Sequence, residues 1–148
     1  MYTIEQVVGE DILLQYKGIK IELEKALEYS SGEWTAVQIV ESAIREPAMF
    51  HIWKVLKDNL PIAISATRVI QYNNFTSLHI MTLGGEDIKE NIPEIILIFE
   101  DIIKKYEGID LLEYTGRKGF VKQLTKVGWK ERYTTMRKSL KENIDVYS

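Results

Sequence analysis

Two residues in strand-like segments have side chains that could transfer a proton. His79 lies in the run FTSLHIMTL and shares one face of it with Ser77 and Met81, and a free imidazole has a pKa of about 6.5. Glu113 lies in the run IDLLEYT, where apolar neighbours would raise the pKa of a carboxylate toward that of a general base. The alternatives are a core histidine with one satisfied hydrogen bond and a glutamate that faces solvent. His51 is a weaker candidate for the same chemistry.

The composition excludes several other kinds of site. The 148 residues include no cysteine and two histidines, so the sequence predicts no thiol nucleophile, no disulfide and no metal site. With 45% hydrophobic and 28% charged residues and a net charge of −3, the chain has the composition of one globular domain. No apolar run approaches the roughly 20 residues that cross a bilayer, and no signal-peptide pattern is present. We therefore expect a soluble, unexported protein without a membrane partner.

The segment 117–141 is a basic strip in an acidic chain. It contains nine Lys or Arg residues and a single acid, Glu131. Lys118, Lys122 and Lys126 are spaced i, i+4, i+8, which places them on one ridge of a helix. This ridge is either a solvated face or a surface for phosphates or for an acidic protein partner. Nucleic acid is the least supported partner, because the whole chain is acidic and no basic motif with interleaved aromatic residues is recognised.

The hydrophobic pattern predicts elements in the order β-α-α-β-β-β-α-β-α-β. Period-2 alternation indicates strands, and apolar residues at helical spacing indicate helices. The strands are predicted at 2–8, 49–57, 60–72, 75–83, 109–115 and 129–140. The helices are predicted from 12 to the turn at 30–32, and at 37–46, 92–107 and 120–128. The 92–107 helix has large apolar side chains over a wide arc, so we expect it to be the main helix of the core.

This order of elements resembles the acyl-CoA-dependent N-acetyltransferase (GNAT) superfamily. More specific are the runs LHIMTLGGED and LLEYTGRKGFVKQLTKVGWKERYTTMRKSL, which are similar to phage-encoded GNAT-like proteins such as the internal virion proteins of short-tailed phages. The resemblance implies a single α/β domain over residues 1–148, with a mixed, mainly antiparallel sheet. It places two early helices on one side of the sheet and the 92–107 helix on the other.

The resemblance also places a cofactor loop directly after the fourth strand. In active GNAT enzymes this loop and the following helix N-terminus hold a pyrophosphate, and the corresponding residues are Leu83, Gly84, Gly85 and Asn91. The same loop contains three acids that would repel an anion: Glu86, Asp87 and Glu90. Asn91 and Glu94 are expected to cap the helix internally. We therefore expect no cofactor, or acetyl-CoA if the protein is an active acetyltransferase.

Two catalytic roles follow from the same resemblance. The fourth strand often carries the base that takes a proton from the attacking amine, which would be His79, with Glu113 as the other candidate. The Tyr that reprotonates the leaving thiolate in many GNAT enzymes corresponds to Leu124, and an apolar side chain cannot transfer a proton. Tyr114 is the nearest other phenol and either substitutes for it or packs at the end of a strand.

The leading hypothesis is a phage-encoded GNAT-like protein that has lost catalysis and serves as a structural or interaction component of the virion. Other virion proteins would be its partners, and Lys118, Lys122 and Lys126 would form the surface that meets them. The alternative is an acetyl-CoA-dependent N-acetyltransferase acting on a host or phage amine. The expected location is the virion or the host cytoplasm. Because one fold hosts many functions, the choice depends on the site.

Overall fold

The computed structural model describes residues 1–28, 32–84 and 88–141. The strands in this part of the chain are β1 (Tyr2–Val7), β2 (Phe50–Lys57), β3 (Leu60–Gln71), β4 (Thr76–Gly84) and β5 (Leu111–Tyr114). The helices are α1 (Glu10–Leu14), α2 (Tyr16–Leu27), α3 (Ala36–Arg45), α4 (Ile92–Ile103) and α5 (Lys118–Thr125). A short 3₁₀ turn, Lys89–Asn91, leads into α4.

The five described strands form one sheet in chain order, from β1 to β5. Neighbouring strands are antiparallel from β1 to β4, and β4 and β5 are parallel. Asp58 and Asn59 form a tight turn between β2 and β3, with φ angles of 50° and 69° that Asp and Asn tolerate better than most residues. The predicted class, an α/β fold with a mixed and mainly antiparallel sheet flanked by helices, is confirmed.

Each face of the sheet carries its own apolar core. On the first face, here called the α4 face, residues of α4 and α5 pack against Trp53, Leu78 and Ile80. On the opposite face, here called the α2 face, residues of α1, α2 and α3 pack against Ile52 and Ala66. The alternation of each strand sends successive side chains to these two cores, which is why both faces could be assigned from period-2 patterns.

Helix α4 is the central helix of the first core, as its apolar pattern predicts. Its inward residues are almost fully buried: Ile92, Ile95, Ile96, Phe99 and Ile103. The helix ends at Ile103, earlier than the predicted end at 107. After that residue the N–H groups of Lys105 and Tyr106 bond to carbonyls three positions back, at 3.2 and 2.9 Å, so the chain tightens into turns.

Three predicted features at the level of elements are wrong. The first helix is broken at Gln15 into α1 and α2. Asn91 does not cap α4 through its side chain, because the 3₁₀ turn runs directly into the helix and gives Asn91 a φ of −103° and a ψ of 5° instead of an extended conformation. Residues 129–139 have no regular secondary structure. That segment exposes Tyr133 and Met136 almost completely, so it buries too little apolar surface to offset the ordering of a strand.

No helix in the described ranges is both long enough and apolar enough to cross a membrane.

Candidate acyl-transfer site

Strands β4 and β5 separate in the middle of β4. Their parallel pairing runs from Ser77↔Leu111 to Ile80↔Tyr114, and β4 then continues to Gly84 without β5. A β-bulge lies directly after the last shared pair, because Ile80 pairs with Thr67 whereas Thr82 pairs with Ala66. A bulge bends its strand, so this irregularity accounts for the divergence of the two parallel strands.

The bulge is held by two side chains that do not stand out in the sequence. The hydroxyl of Ser65 donates to the carbonyl of Thr82 at 2.6 Å, and the hydroxyl of Thr82 accepts from the N–H of Ala66 at 3.2 Å. Both side chains are buried. Because buried hydrogen bonds of this kind fix a single geometry, the opening between β4 and β5 is part of the folded structure.

His79 lies next to this opening, on the α2 face. Its Nδ1 accepts from Arg68 Nε at 3.4 Å, and its Nε2 lies 3.0 Å from Thr115 Oγ1. Because a guanidinium only donates, the neutral ring must carry its hydrogen on Nε2 and donate to Thr115. Burial, and then the charge of Arg68, lower the pKa of His79 below its usual value of 6.5, while Glu113 acts in the opposite direction. His79 is therefore neutral near pH 7.

Glu113 is the register partner of His79 on β5. Its Oε2 accepts from the hydroxyl of Tyr72 at 3.4 Å. Its Oε1 is buried and has no hydrogen-bond partner among the described residues. A buried acceptor without a donor is unfavourable by about 1 to 3 kcal/mol, and more when it is charged. An N–H group of a ligand would satisfy it.

Arg68 and its neighbours complete the cluster and were missed by sequence reasoning. The guanidinium of Arg68 lies 5.6 Å from the ring centroid of Trp34, which packs edge-on against Phe50 with centroids 5.9 Å apart. Arg68 is the one charged residue in the sequence of β3, and that interruption of an apolar strand is the signal that could have identified it. Tyr72 and Thr115 carried no comparable signal, since each is only the last residue of a predicted strand and lies directly after the end of β3 or β5 in the structure.

Tyr114 lies on the other face of the sheet from His79 and Glu113. Its ring packs near Phe120, with centroids 6.3 Å apart, and its hydroxyl covers Gly116 so closely that any side chain there would overlap it. Burial raises the pKa of Tyr114 to about 12, against a smaller lowering by a hydrogen bond with the Arg117 backbone and by the charge of Arg117. The phenol is a protonated donor at neutral pH, but it is not part of the His79 and Glu113 cluster.

The segment after α5 passes beside the cluster. Tyr133 lies close enough to Tyr72 to contribute to the raised pKa of that phenol, after the larger effects of burial and of Glu113. Arg137 forms an ion pair with Glu33, the neighbour of Trp34. The segment predicted as a last strand therefore borders the α2 face of the site.

The predicted cofactor loop is partly outside the described residues, which leave out Gly85, Glu86 and Asp87. Leu83 is buried in the α4-face core. Gly84 lies against α2, and a Cβ at this position would be 2.6 Å from the Cβ of Ala26. The absence of a side chain at Gly84 thus allows α2 to pack on β4, which is a structural role that the sequence did not indicate.

The predicted loop also contains a cation, Lys89, that stands between Gly85 and Asn91 and was not singled out from the sequence. The side chain of Lys89 lies over Gly119 in the first turn of α5, where a Cβ would be 2.9 Å from Lys89 Nζ. Glycine at this position therefore leaves room for the ammonium group. Lys89 brings positive charge to the start of both α4 and α5, where phosphate oxygens bind favourably.

The predicted ridge of Lys118, Lys122 and Lys126 is exposed along α5 and its C-terminal end. Lys126 donates to Gln123 at 3.1 Å. In the described part of the chain no group of three His, Asp or Glu side chains is arranged to hold a metal ion.

Comparison with known proteins relates the architecture to one class. No protein-family model matches the sequence, and no curated protein matches it either. Solved structures do match. An aminoglycoside acetyltransferase from an uncultured soil metagenomic sample, in complex with sisomicin, aligns with a TM-score of 0.66 at 13% identity, over 95% of this chain and 97% of that one.

Two further structures are similar over nearly their whole length. A predicted acetyltransferase from Clostridium acetobutylicum, with acetyl-CoA, aligns with a TM-score of 0.60 at 14% identity, over 95% of this chain and 97% of that one. Glucosamine-6-phosphate N-acetyltransferase from Arabidopsis thaliana aligns with a TM-score of 0.63 at 13% identity, over 95% and 99%. The chain therefore has the fold of the GNAT acetyltransferases.

Proposed function

We propose that the protein is an acetyl-CoA-dependent N-acetyltransferase that acts on a small amine. The observation that carries this proposal is the buried Oε1 of Glu113, which lacks a donor, beside neutral His79 at the separation of β4 and β5. An amine is an N–H donor and, when protonated, a cation, so it satisfies this carboxylate oxygen better than a neutral donor would. The similar structures that are described as acetyltransferases support the same activity.

The residues around the opening suit acetyl-CoA. When bound, acetyl-CoA would supply an acetyl group activated as a thioester. The part of β4 beyond Ile80 has no β5 partner, so its backbone can pair with an extended ligand. Lys89, with room provided by Gly119, would meet phosphate oxygens. Glu86 and Asp87 follow Gly84 in sequence and would weaken this attraction without removing it.

Glu113, His79 and Tyr72 have different roles in the proposed reaction. Glu113 Oε1 would bind the amine and take the proton that the nitrogen loses when the N–C bond forms and the thioester C–S bond breaks. Coenzyme A would leave as a thiolate and take a proton from solvent. His79 is less suited to accept that proton, because its basic Nδ1 already accepts from Arg68. Its Nε2–H donates to Thr115 and so fixes the chain where it leaves β5. Tyr72 orients Glu113 through Oε2.

The test is turnover with purified protein. Release of coenzyme A is measured with acetyl-CoA and a panel of aminoglycosides, polyamines and amino sugars. Glu113→Gln should lower kcat/KM by at least about 100-fold for an accepted amine, the usual effect of losing a positioned base. Asp101→Asn, which changes an exposed carboxylate on α4, should leave it unchanged. Absence of turnover together with absence of acetyl-CoA binding would overturn the proposal.

The virion role implied by the phage resemblance has no supporting observation in the structure or in the comparisons. The enzyme alternative is supported by both. The ridge of Lys118, Lys122 and Lys126 remains a proposed partner surface, supported by its exposure and by the scarcity of acids around it in the sequence.

A further inference from the structure

A cavity lies on the α4 face at the start of β4, whereas His79 of the acyl-transfer site lies near the middle of that strand and on the α2 face. It has a volume of about 490 Å³ and opens between the C-terminal end of α4 and the beginnings of β4 and β5. Its floor is formed by the buried side chains of Trp53, Leu78 and Ile103. Small-molecule sites have volumes of roughly 300 to 1,000 Å³ and are mostly apolar, so this cavity has the size and the floor of a ligand site.

His51 lines the cavity beside Trp53, and the ring nitrogen atoms of both residues already have hydrogen-bond partners. Trp53 Nε1 donates to Thr67 Oγ1 at 2.9 Å, Thr67 Oγ1 lies 2.9 Å from His51 Nδ1, and His51 Nε2 lies 3.2 Å from the Ala48 carbonyl. A carbonyl only accepts, so His51 carries its hydrogen on Nε2 and receives the Thr67 hydroxyl at Nδ1. This chain of bonds holds a neutral ring against the cavity.

The protonation of His51 agrees with this geometry. Burial lowers the pKa of His51 below 6.5, and the hydrogen bond to the Ala48 carbonyl opposes that effect only in part. A second hydrogen on Nδ1 would turn two donors, His51 and Trp53, toward Thr67 Oγ1 inside the protein. The ring of His51 is therefore uncharged at neutral pH.

The rim of the cavity carries an acidic residue, Glu107. Of the described residues that line the cavity, Glu107 is the one Asp or Glu, and none is Lys or Arg. Glu107 is exposed, and beside it the half-exposed ring of Tyr106 also lines the opening. Aromatic faces together with a carboxylate attract a cation that has an apolar envelope, and the carboxylate repels an anion.

We propose that this cavity is a second binding site, for a small organic cation such as an aryl-substituted ammonium. The aryl group lies on the floor of Trp53, Leu78 and Ile103, and the cationic head lies at the rim between Tyr106 and Glu107. The site is separate from the acyl-transfer site, because His79 and Glu113 lie on the other face of the sheet. It binds without any need for acetyl-CoA.

The test uses benzyltrimethylammonium, followed by calorimetric titration and by tryptophan fluorescence. Its quaternary nitrogen carries no hydrogen that an acetyl group could replace, so its binding cannot be confused with acceptance as a substrate. Benzyl alcohol and benzoate provide the neutral and anionic controls. We expect saturable binding of the cation at micromolar to millimolar concentration, binding of the alcohol that is weaker by about tenfold, and no binding of benzoate.

Two variants separate the rim from the floor. Glu107→Gln should weaken binding of the cation by about tenfold and leave benzyl alcohol unaffected, whereas Asp101→Asn, an exposed carboxylate on α4 outside the cavity, should change neither. Val69→Trp should fill the cavity and abolish binding of both compounds. Circular dichroism and Tm show whether Val69→Trp folds, and if it does not, the exposed Glu107 variant decides.

Two results would overturn the proposal: no saturable binding of the cation, or equal binding of cation, alcohol and anion by the wild-type protein and by Glu107→Gln. Both measurements are made without acetyl-CoA. If the protein does not transfer acetyl groups, these binding measurements still test the cavity. If the cation does not bind, the acetyltransferase proposal is unaffected.

Discussion

His79 and Glu113 face each other across the parallel pair of β4 and β5, one register position before the two strands separate. The imidazole is fixed between Arg68 and Thr115, and the carboxylate keeps one buried oxygen without a donor among the described residues. The fold thus places a neutral ring and an unsatisfied acceptor at the opening between β4 and β5.

The first prediction concerns the acids of the cofactor loop. Replacing Glu86 with Gly and Asp87 with Ala should tighten binding of acetyl-CoA by about tenfold, because two negative charges near its phosphates are removed. Calorimetric titration of the wild-type and variant proteins measures the change, and it should shrink at high salt. Equal dissociation constants at low salt would show that these side chains do not face the cofactor.

The second prediction concerns the close approach of β4 and α2. Gly84→Ala should lower the free energy of unfolding by about 1 to 3 kcal/mol, since its new Cβ would be 2.6 Å from that of Ala26. Ala26→Gly in the same chain should recover part of that loss. Gly18→Ala is the matched control, because nothing lies within 4 Å of a Cβ there and alanine favours the helix. An additive effect of the two changes at positions 84 and 26 would contradict the proposed contact.

The third prediction concerns the core of α4. Ile96→Ala or Phe99→Ala should destabilise the protein by about 2 to 5 kcal/mol, the usual effect of emptying a large buried site. Leu97→Ala on the same helix should have a much smaller effect, because Leu97 is 49% exposed. Denaturant unfolding of the three variants measures these differences. Comparable losses at positions 96 and 97 would mean that the buried face of α4 is misassigned.

The fourth prediction concerns acid stability. Burial lowers the pKa of both His51 and His79 from 6.5, so below about pH 6.5 the unfolded chain binds more protons than the folded chain. The free energy of unfolding should therefore fall as the pH falls through 6.5 and further toward the folded pKa values, and above about pH 7.5 the histidines should not change its dependence on pH.

Because carboxylates also change the free energy of unfolding with pH, the effect of His51 is measured as a difference between the wild type and a variant. His51→Gln should show a shallower decline than the wild type between pH 7.5 and 5. Parallel curves would contradict the lowered pKa of His51.

The fifth prediction concerns the lysine ridge. Charge reversal of Lys118, Lys122 and Lys126 to Glu should change Tm little, since exposed charges contribute little to folding. It should abolish co-purification with an acidic partner protein, because charge complementarity governs encounter and register. Capture of the same partners by the reversed and wild-type chains, with the same salt sensitivity, would show that the ridge is only a solvated face.

The sequence by itself determined most of the strands and helices and the sides of the sheet on which their residues lie. Alternation along β2, β3 and β4 predicted which side chains share a face, and the apolar arc of α4 predicted its burial, because both patterns depend on the geometry of a single element. The same alternation separates Glu113 from Tyr114, since neighbouring residues of a strand point to opposite faces. The resemblance to the GNAT superfamily rested on the order of these elements and on two sequence runs, and the mixed, mainly antiparallel sheet flanked by helices is confirmed.

The tertiary structure decided what depends on contacts between distant segments. The bulge at β4 is held by Ser65 of another strand, Arg68 reaches His79 through the β3 register, and Glu113 meets His79 through a parallel pairing. None of these contacts leaves a periodic trace in the sequence, because each joins residues far apart in the chain. The predicted last strand failed for a related reason. Its pattern suits a strand, but a strand forms only where pairing with a neighbouring strand edge and burial of one face offset the entropy lost in ordering its backbone.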